Sequence, residues 1–460
     1  MGIDICGITA DSRAVKPGFM FAALPGAKAD GRAYIAEAVA RGAVAVLAPE
    51  GTAWPDGVPP CALVTDPAPR ARLAKLAVEL AGPMPAHIAA VTGTNGKTST
   101  VDFLRQILAR AGRRAASLGT LGVIAPGRAP QETLTTPDAV TLANTLAALG
   151  KAGIDYAALE ASSHGLAQSR LDGLRLETAG FTNITRDHLD YHGSFAAYRA
   201  AKLRLFEVLL PRGAPAVAMA DIEKETLSAL RNIAVRRGLD LRLVGVAQTR
   251  PLPGGQEVLA NMSGSRRREI LHLPGRFQAD NAILAAALAE AMGVPDALAF
   301  LPDLVGVRGR LERAAVLDNG AAAYVDYAHT PDAIERVLTA LRPHASGKLV
   351  IVFGAGGDRD AGKRPLMGAA AARLADAAIV TDDNPRSEDP GAIRAAIMAA
   401  CPGGIEIAGR RAAIAAGLSR LQAGDVLVVA GKGHEQGQTI GTTTLPFDDA
   451  AVIRDLAGAP

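Results

Sequence analysis

The chain reads as an α/β protein of three consecutive domains, and three observations predict this. Short apolar runs ending in Gly, Asp or Asn alternate with helical patterns over most of its length. Its 460 residues suggest roughly two to four domains. Hydrophobic residues make up 49% but aromatics only 4%, so the large cores are built mainly from Ala, Val, Leu and Ile.

In the first region, residues 1–86, "AVAVLAPE" and "CALVTD" have the pattern of strands and 33–41 that of a helix. It closes at "AGPMPAH", which has linker composition. In the second, 87–305, "HIAAV" leads into a glycine-rich loop and then a helix through Ala111. "DYAALEASS", "AGFTNIT" and "APAVAMAD" are further strands, each followed by polar residues. In the third, 306–460, "AAAYVDYA", "KLVIVFG", "AAIVTDD" and "DVLVVAGK" are strands, with "DAIERVLTALRP" and "GAIRAAIMAAC" as helices between them. Strands alternating with helices imply parallel sheets, whose ligands sit beyond the carboxyl ends of the strands.

Lys plus Arg number 49 against 46 Asp plus Glu, and no long basic tract occurs, which argues against nucleic acid or a membrane surface as partner. Cys6, Cys61 and Cys401 are too far apart for a metal knuckle and read as free thiols in a reducing cytosol. The opening "MGIDICGITADSR" lacks signal-peptide character, and no run approaches the roughly 18 apolar residues of a membrane helix. A soluble, cytoplasmic, monomeric protein is expected.

"TGTNGKTST" lies between a strand and a helix, the setting of a phosphate loop, although Val91 stands where the usual first glycine belongs. Gly93, Asn95 and Gly96 let backbone N–H groups face an anion, and the following helix adds its positive end. Lys97 can reach terminal phosphates, and the Thr98 hydroxyl can ligate Mg²⁺. Glu160, at a strand end in "ALEASSHGL", reads equally as a strand cap or as a carboxylate holding Mg²⁺ directly or through water. "FTNITRDHLDYHG" gathers Asn183, Arg186, Asp187, His188, Asp190 and His192 without a zinc-ligand spacing, so an oxygen-rich Mg²⁺–phosphate site fits better than zinc.

Taken in order, "TGTNGKTST", "EASSHGL", "TNITRDHLDYHG", "GRFQADN", "GVRGRLE", "VDYAHTPDA", "FGAGGDRDAGKRPLMG", "DNPRSE" and "AGKGHE" resemble the Mur ligase family of ATP-dependent amino-acid ligases. The likeness runs over nearly the whole chain. It is strongest to the member that adds the third stem-peptide residue to UDP-MurNAc-L-Ala-D-Glu. The resemblance implies a UDP-sugar-binding α/β domain, a central P-loop ATPase-like domain with a parallel sheet, and a Rossmann-like amino-acid-binding domain. It also implies that ATP turns a carboxylate into an acyl phosphate, which an incoming amine then attacks.

Carried over by resemblance, Gly93, Thr94, Asn95, Gly96, Lys97, Thr98 and Ser99 bind the ATP phosphates, with Lys97 on the transferred group. Thr98 and Glu160 hold one Mg²⁺, and His188 lies near a second. On its own, Lys202 in "YRAAKLRLF" reads as a solvated lysine on an amphipathic helix; the family match makes it a carbamylated lysine (N6-carboxylysine) that ligates metal. Asn281 and Arg310 match nucleotide contacts, and Asp326 and His329 the adenine and ribose side. Gln278 departs from the Asn usual in the family at that place and is not carried over.

The UDP-sugar contacts implied are Ser12, the segment with Ala27, Lys28 and Ala29, then Thr135, Thr136, Ser162, Gln168 and Arg170. The chain begins close to Ser12, so a few residues that relatives carry before it are expected to be missing. Asp383, Asn384, Pro385 and Arg386 match the motif associated with meso-diaminopimelate. A guanidinium fork suits a carboxylate, so Arg386 is expected to grip the far carboxylate while Asp383 and Asn384 meet the ammonium. Arg359 would help bind the other carboxylate, with Gly431 and Glu435 completing the pocket. Lysine, which lacks that carboxylate, is the alternative acceptor. Folylpolyglutamate synthetase and a non-ligase P-loop ATPase are the more distant alternatives.

Overall fold

The computed structural model describes residues 4–26, 29–127, 134–252, 254–262 and 265–458. The chain divides into two compact units. One comprises Met1–Gly245, Met262–Gly264 and Asn281–Leu298; the other comprises Val246–Asn261, Ser265–Asp280 and Ala299–Pro460.

The first unit opens with a parallel sheet of β1 (Gly7–Thr9), β2 (Phe19–Ala22), β3 (Ala45–Pro49) and β4 (Ala62–Asp66), in that order. Alternate residues of β2 and β3 pack to opposite faces, as the two-residue period of a strand requires. Met20, Ala22, Ala45 and Leu47 meet Leu73 and Ala77, while Phe21, Val46 and Ala48 meet Ile35 and Ala38.

The next strands are β5 (His87–Thr92), β6 (Ala115–Gly119), β7 (Gly122–Ile124), β8 (Tyr156–Glu160), β9 (Thr178–Phe181) and β10 (Pro215–Met219). They line up in the order β10-β9-β5-β8-β6-β7, all parallel except the β6–β7 pair. β11 (Asp240–Leu252) pairs with β10 through Asp240–Val244, and is followed by β12 (Gly255–Met262) and β13 (Ser265–Leu271). The register places Val91 of β5 opposite both Glu160 of β8 and Gly180 of β9. The loop after β5 therefore leaves the sheet between the carboxyl ends of two neighbouring strands, at the chain's switch in winding direction.

In the second unit, β14 (Glu312–Val316), β15 (Ala322–Asp326), β16 (Leu349–Phe353), β17 (Ala377–Val380), β18 (Ile405–Glu406) and β19 (Val426–Ala430) form a sheet. Its order is β14-β15-β19-β16-β17-β18, parallel except at β14. Leu349, Ile351, Phe353, Val426 and Val428 pack on one side with Ile334, Val337, Met367 and Ile393. Val350, Val352, Leu427 and Val429 pack on the other with Ala413, Ile414 and Ile453. Both faces are covered, which is why these strands are apolar throughout rather than alternating. Asp326, Phe353, Val380 and Ala430 end neighbouring strands in register, so their loops share one edge of the sheet. A two-stranded hairpin, β20 (Gly437–Ile440) and β21 (Thr443–Pro446), follows β19.

Candidate functional site

The glycine loop is shaped by two positions that only glycine fills. Gly93 has φ 146° and Gly96 φ 84°, backbone regions costly for other residues. A Cβ on Gly93 would collide with Thr182 Oγ1, and one on Gly96 with Asn281 Oδ1. The segment after β9 clamps the loop. Asn183 O accepts from Thr94 N at 2.8 Å, Asn183 Oδ1 from Asn95 N at 3.0 Å, and Asn95 O accepts from Thr182 Oγ1 at 2.6 Å. Gly96 caps the helix Lys97–Arg110, in whose first turn Thr98 and Ser99 are buried. The loop is thus held open by its own neighbours, with a helix N-terminus behind it, which suits phosphate.

Two ammonium groups converge on one carbonyl. Lys97 Nζ donates to Gly93 O at 2.9 Å and Thr94 O at 2.8 Å, and Lys202 Nζ donates to Gly93 O at 2.7 Å. Lys202 is 1% exposed, so it is not the solvated lysine its residue pattern alone suggests. Burial first, and the Lys97 charge second, hold its basicity well below that of an ordinary lysine. Its Nζ lies 4.5 Å from the centre of the Tyr198 ring, and the Tyr198 hydroxyl is 3.0 Å from Thr94 Oγ1. Burial pushes the Tyr198 phenol up to about 12.

Glu160 is buried at the end of β8, with Oε1 accepting from Thr120 N at 2.8 Å and Oε2 from Thr120 Oγ1 at 3.3 Å. Thr136 Oγ1 donates to Glu160 O at 2.8 Å and accepts from Ser162 N at 3.0 Å. Arg170 Nη1 donates to Thr136 O at 2.5 Å and its Nη2 to Gln168 Oε1 at 2.7 Å, while Thr135 Oγ1 lies 3.1 Å from Thr120 Oγ1. Thr135, Thr136, Ser162, Gln168 and Arg170 are therefore gathered around the strand end that carries Glu160. Ser12 is instead buried with its hydroxyl donating to Glu37 Oε2 at 2.8 Å. Ala29 accepts a backbone bond from Gly26, and Ala27 and Lys28 lie outside the described residues.

His188 adopts φ 51°, a left-handed backbone rare outside glycine, and its ring meets that of His164 edge-on at 4.8 Å. Burial, then the charge of His188, lowers the basicity of both His164 and His192. Glu160 and Thr98 offer the hard oxygen donors that Mg²⁺ takes, and a cation of that kind commonly shares its shell with phosphate and water. The protonated Lys202 amine cannot ligate a cation; carbamylation would give it an anionic oxygen donor.

The second unit gathers the remaining candidates at its strand ends. Asp326 accepts from Leu311 N at 2.7 Å and Ala328 N at 2.8 Å. Burial raises its carboxyl to about 6 against the pull of Arg310 and those two N–H groups. The Arg310 guanidinium lies 4.7 Å over the Tyr327 ring, which is also 4.6 Å from His329 and 5.0 Å from His434. Burial, then Arg310 and Arg308, lowers His434 to about 4. Gln278, not carried over from the family, is fully buried and donates to Arg310 O at 2.9 Å, so it positions the Arg310 backbone.

Arg386 sits at φ 51°, held by Arg386 N to Thr439 O at 3.1 Å and Gly441 N to Arg386 O at 2.7 Å. Its Nη1 donates to Gly357 O at 2.7 Å, and Arg359 is exposed. The Asp383 carboxylate turns inward: Oδ1 accepts from Asn384 N at 2.7 Å, and Oδ2 lies 3.8 Å from Arg410 Nη1. A Cβ on Gly431 (φ 118°) would stand 2.6 Å from that Oδ2. Arg410 is anchored by Asp449 through bonds of 2.7 and 2.6 Å, with both side chains at 0% exposure. Asp383 Oδ1 thus supports the loop, while the buried Oδ2 has no hydrogen-bond partner and is the oxygen left to face an ammonium.

Sequence reasoning missed Thr120, Gly119 and the Arg410–Asp449 pair, none in a motif with chemistry of its own, and gave no role to Thr182 or Tyr198, which stand at the edges of "FTNITRDHLDYHG" and "YRAAKLRLF". "SLGTLG", a glycine–threonine step at the end of an apolar run, was the available signal for Gly119 and Thr120.

Family models match three segments: Mur ligase family, catalytic domain over residues 4–78; Mur ligase middle domain over 91–289; and Mur ligase, glutamate ligase domain over 309–433. The UDP-N-acetylmuramoyl-L-alanyl-D-glutamate--2,6-diaminopimelate ligase of Caulobacter vibrioides is 53% identical, over 97% of this chain and 94% of its own. The ligase of the same name from Rhizobium meliloti is 51% identical, over 99% and 95%. A solved structure of a ligase of that name superposes with TM-score 0.74 at 35% identity, covering 99% of this chain and 95% of its own. A Mycobacterium tuberculosis folylpolyglutamate synthase complexed with ADP and AMPPCP shares the fold, with TM-score 0.65 at 21% identity over 85% and 95%.

Proposed function

Because the chain belongs to the Mur ligase family, we propose that it joins meso-2,6-diaminopimelate to the D-Glu carboxylate of UDP-MurNAc-L-Ala-D-Glu with hydrolysis of ATP. It is an ATP-dependent ligase of peptidoglycan precursor synthesis. The partition we favour is 1–86 for the UDP-sugar, 87–305 for ATP and 306–460 for the amino acid, which follows the three matched family segments. No helix among the described residues is long and apolar enough to cross a membrane, and we place the enzyme in the cytoplasm as a monomer.

In this reading the loop Gly93–Ser99 binds the triphosphate, and Lys97 neutralises charge on the transferred phosphoryl group. The substrate carboxylate attacks the γ-phosphorus and ADP leaves; the amine then attacks the acyl carbon and inorganic phosphate leaves. Thr98, Glu160, His188 and carbamylated Lys202 would hold Mg²⁺, which when bound supplies positive charge beside the phosphates. The depressed basicity of Lys202 supports the modification. Only the neutral amine adds CO₂, forming the N–C bond and releasing a proton. Asn281, Arg310, Asp326 and His329 would hold the nucleoside. Ser12, Ala27, Lys28, Ala29, Thr135, Thr136, Ser162, Gln168 and Arg170 would hold the UDP-MurNAc-dipeptide.

The observation that carries the choice of amino acid is Arg386, whose unusual backbone is fixed by the β20–β21 hairpin. With Arg359, the Asp383–Arg386 segment, Gly431 and Glu435, it would form the diaminopimelate pocket. Lysine would leave the guanidinium donors other than the one held by Gly357 O without a carboxylate, and a polar group desolvated without its partner is strongly disfavoured. Phosphate release and product mass, measured with ATP, Mg²⁺ and UDP-MurNAc-L-Ala-D-Glu, test this with diaminopimelate, L-lysine or no acceptor. Release and a tripeptide product only with diaminopimelate are expected. Turnover with lysine would keep the ligase and reject the pocket, and acceptor-independent release would point to an ATPase.

A further inference from the structure

Lys432 is a lysine with 0% exposure on the loop after β19, and the reaction outlined above gives it no task. Its Nζ donates to Asn384 Oδ1 at 3.0 Å and to Glu435 Oε2 at 3.3 Å. Asn384 Oδ1 also accepts from Thr439 N at 2.9 Å, and Asn384 Nδ2 donates to Glu435 Oε2 at 2.8 Å.

This arrangement allows one orientation of the amide. An ammonium has donors only, as does a backbone N–H, so the atom facing Lys432 and Thr439 must be the oxygen. An ionised carboxylate has acceptors only, so the atom facing Glu435 must be the nitrogen. Turned over, the amide would face donors with donors and an acceptor with an acceptor. Asn384 is buried, which makes either mismatch costly.

Resting on the diaminopimelate reading above, we propose that Lys432 is a positioning residue that fixes the polarity of the amino-acid pocket. It commits the Asn384 oxygen inward, so the one group Asn384 has left to offer a ligand is an N–H donor. Asn384 then meets a carboxylate of diaminopimelate, and the ammonium falls to Asp383 and Glu435. Lys432 also offsets the charge of Glu435, holding that carboxylate in place beside the amide.

The test compares wild type with Lys432→Met and Lys432→Arg, measuring kcat, KM for diaminopimelate, KM for ATP, use of L-lysine, and thermal unfolding. Lys432→Met is expected to raise KM for diaminopimelate about tenfold, leave KM for ATP within about twofold, and narrow the preference over lysine, since one lost directed hydrogen bond to a charged group is worth about that much. Lys432→Arg, which keeps charge and donors, should recover most of the loss. A folded Lys432→Met protein with unchanged KM for diaminopimelate, or with every KM raised alike, overturns the proposal. Should Lys432→Met not fold, Asn384→Asp puts an acceptor against Glu435 without changing shape, and the pair Asn384→Asp/Glu435→Gln restores a donor there. Equal KM for diaminopimelate in wild type and Asn384→Asp would likewise overturn it. A wild-type enzyme that makes no diaminopimelate product would reject the functional reading itself, before any variant is compared.

Discussion

Gly119→Ala separates the carboxylate of Glu160 from the rest of the candidate ATP site. Gly119 ends β6 beside Glu160, and its φ is not positive, so an alanine backbone is unstrained there. The added Cβ would lie on Glu160 Oε1, 2.5 Å from Cδ and 2.6 Å from Cγ. Three consecutive atoms of one buried side chain are obstructed, so a small shift of its tip does not relieve the overlap. Glu160 must change rotamer and give up the bonds from Thr120 N at 2.8 Å and Thr120 Oγ1 at 3.3 Å.

A hydrogen bond to a charged group contributes about 1.5–3 kcal/mol, and misplacing a metal ligand through its supporting shell typically costs about 10- to 100-fold in metal affinity. Taking about 2 kcal/mol, the Mg²⁺ concentration for half-maximal rate should rise about 30-fold. Initial rates across a Mg²⁺ series, with other substrates saturating, read this directly. KM for diaminopimelate should stay within about twofold, since the carboxylate-binding residues proposed for it do not touch Gly119. Glu160→Asp, one methylene shorter, should restore part of the loss when combined with Gly119→Ala. An unchanged Mg²⁺ requirement in a folded Gly119→Ala protein would refute Glu160 as a metal-holding group.

Asp449→Ala strands the Arg410 guanidinium, which cannot deprotonate. Calorimetry should show the second unit destabilised by about 3–5 kcal/mol, with Arg410→Met/Asp449→Leu recovering most of it. Asp326 and His434 give opposite pH slopes in overlapping windows. The carboxyl raised from 3.8 to about 6 contributes stability at low pH that is lost as pH rises through 6. The imidazole lowered from 6.5 to about 4 contributes stability above 6.5 that is lost as pH falls toward 4. Relative to wild type, denaturant titrations between pH 4 and 6 should therefore show the slope of stability against pH shifted downward in His434→Gln and upward in Asp326→Asn, each by about 1.4 kcal/mol per pH unit at most. Lys202→Met should abolish ligation yet unfold no earlier than wild type. Stripped of CO₂ so that its amine is unmodified, the wild type should gain stability relative to the variant as pH rises toward 10.5, because the buried amine binds fewer protons folded than unfolded.

What the sequence made legible follows from the kind of constraint each residue obeys. Gly93 and Gly96 are marked by the glycine-rich turn between a strand and a helix, Lys97 by its place at the start of that helix and Arg386 by a charge after an apolar run, and these signals are local, whereas Gly431 comes only with the family resemblance. The strands β5, β8, β9, β15, β16, β17 and β19 are legible for the same reason, since burial on both faces leaves continuous apolar runs. The hairpin β20–β21 is not, because its residues are exposed or half-exposed and mostly polar, and their burial pattern carries no core face.

The supporting groups are hidden for a deeper reason. Thr182, Asn183 and Tyr198 shape the phosphate loop from positions about ninety residues or more away along the chain, and Asp449 reaches Arg410 across 39 positions. Such pairs are ordinary threonines, asparagines and ion pairs until the fold brings them together. The same holds for Lys432: it stands unassigned within "AGKGHE", and only its complete burial against Asn384 and Glu435 makes its charge specific. Two donors on one side and a carboxylate on the other leave an amide one way to lie, and that choice decides which end of an amino acid it can meet.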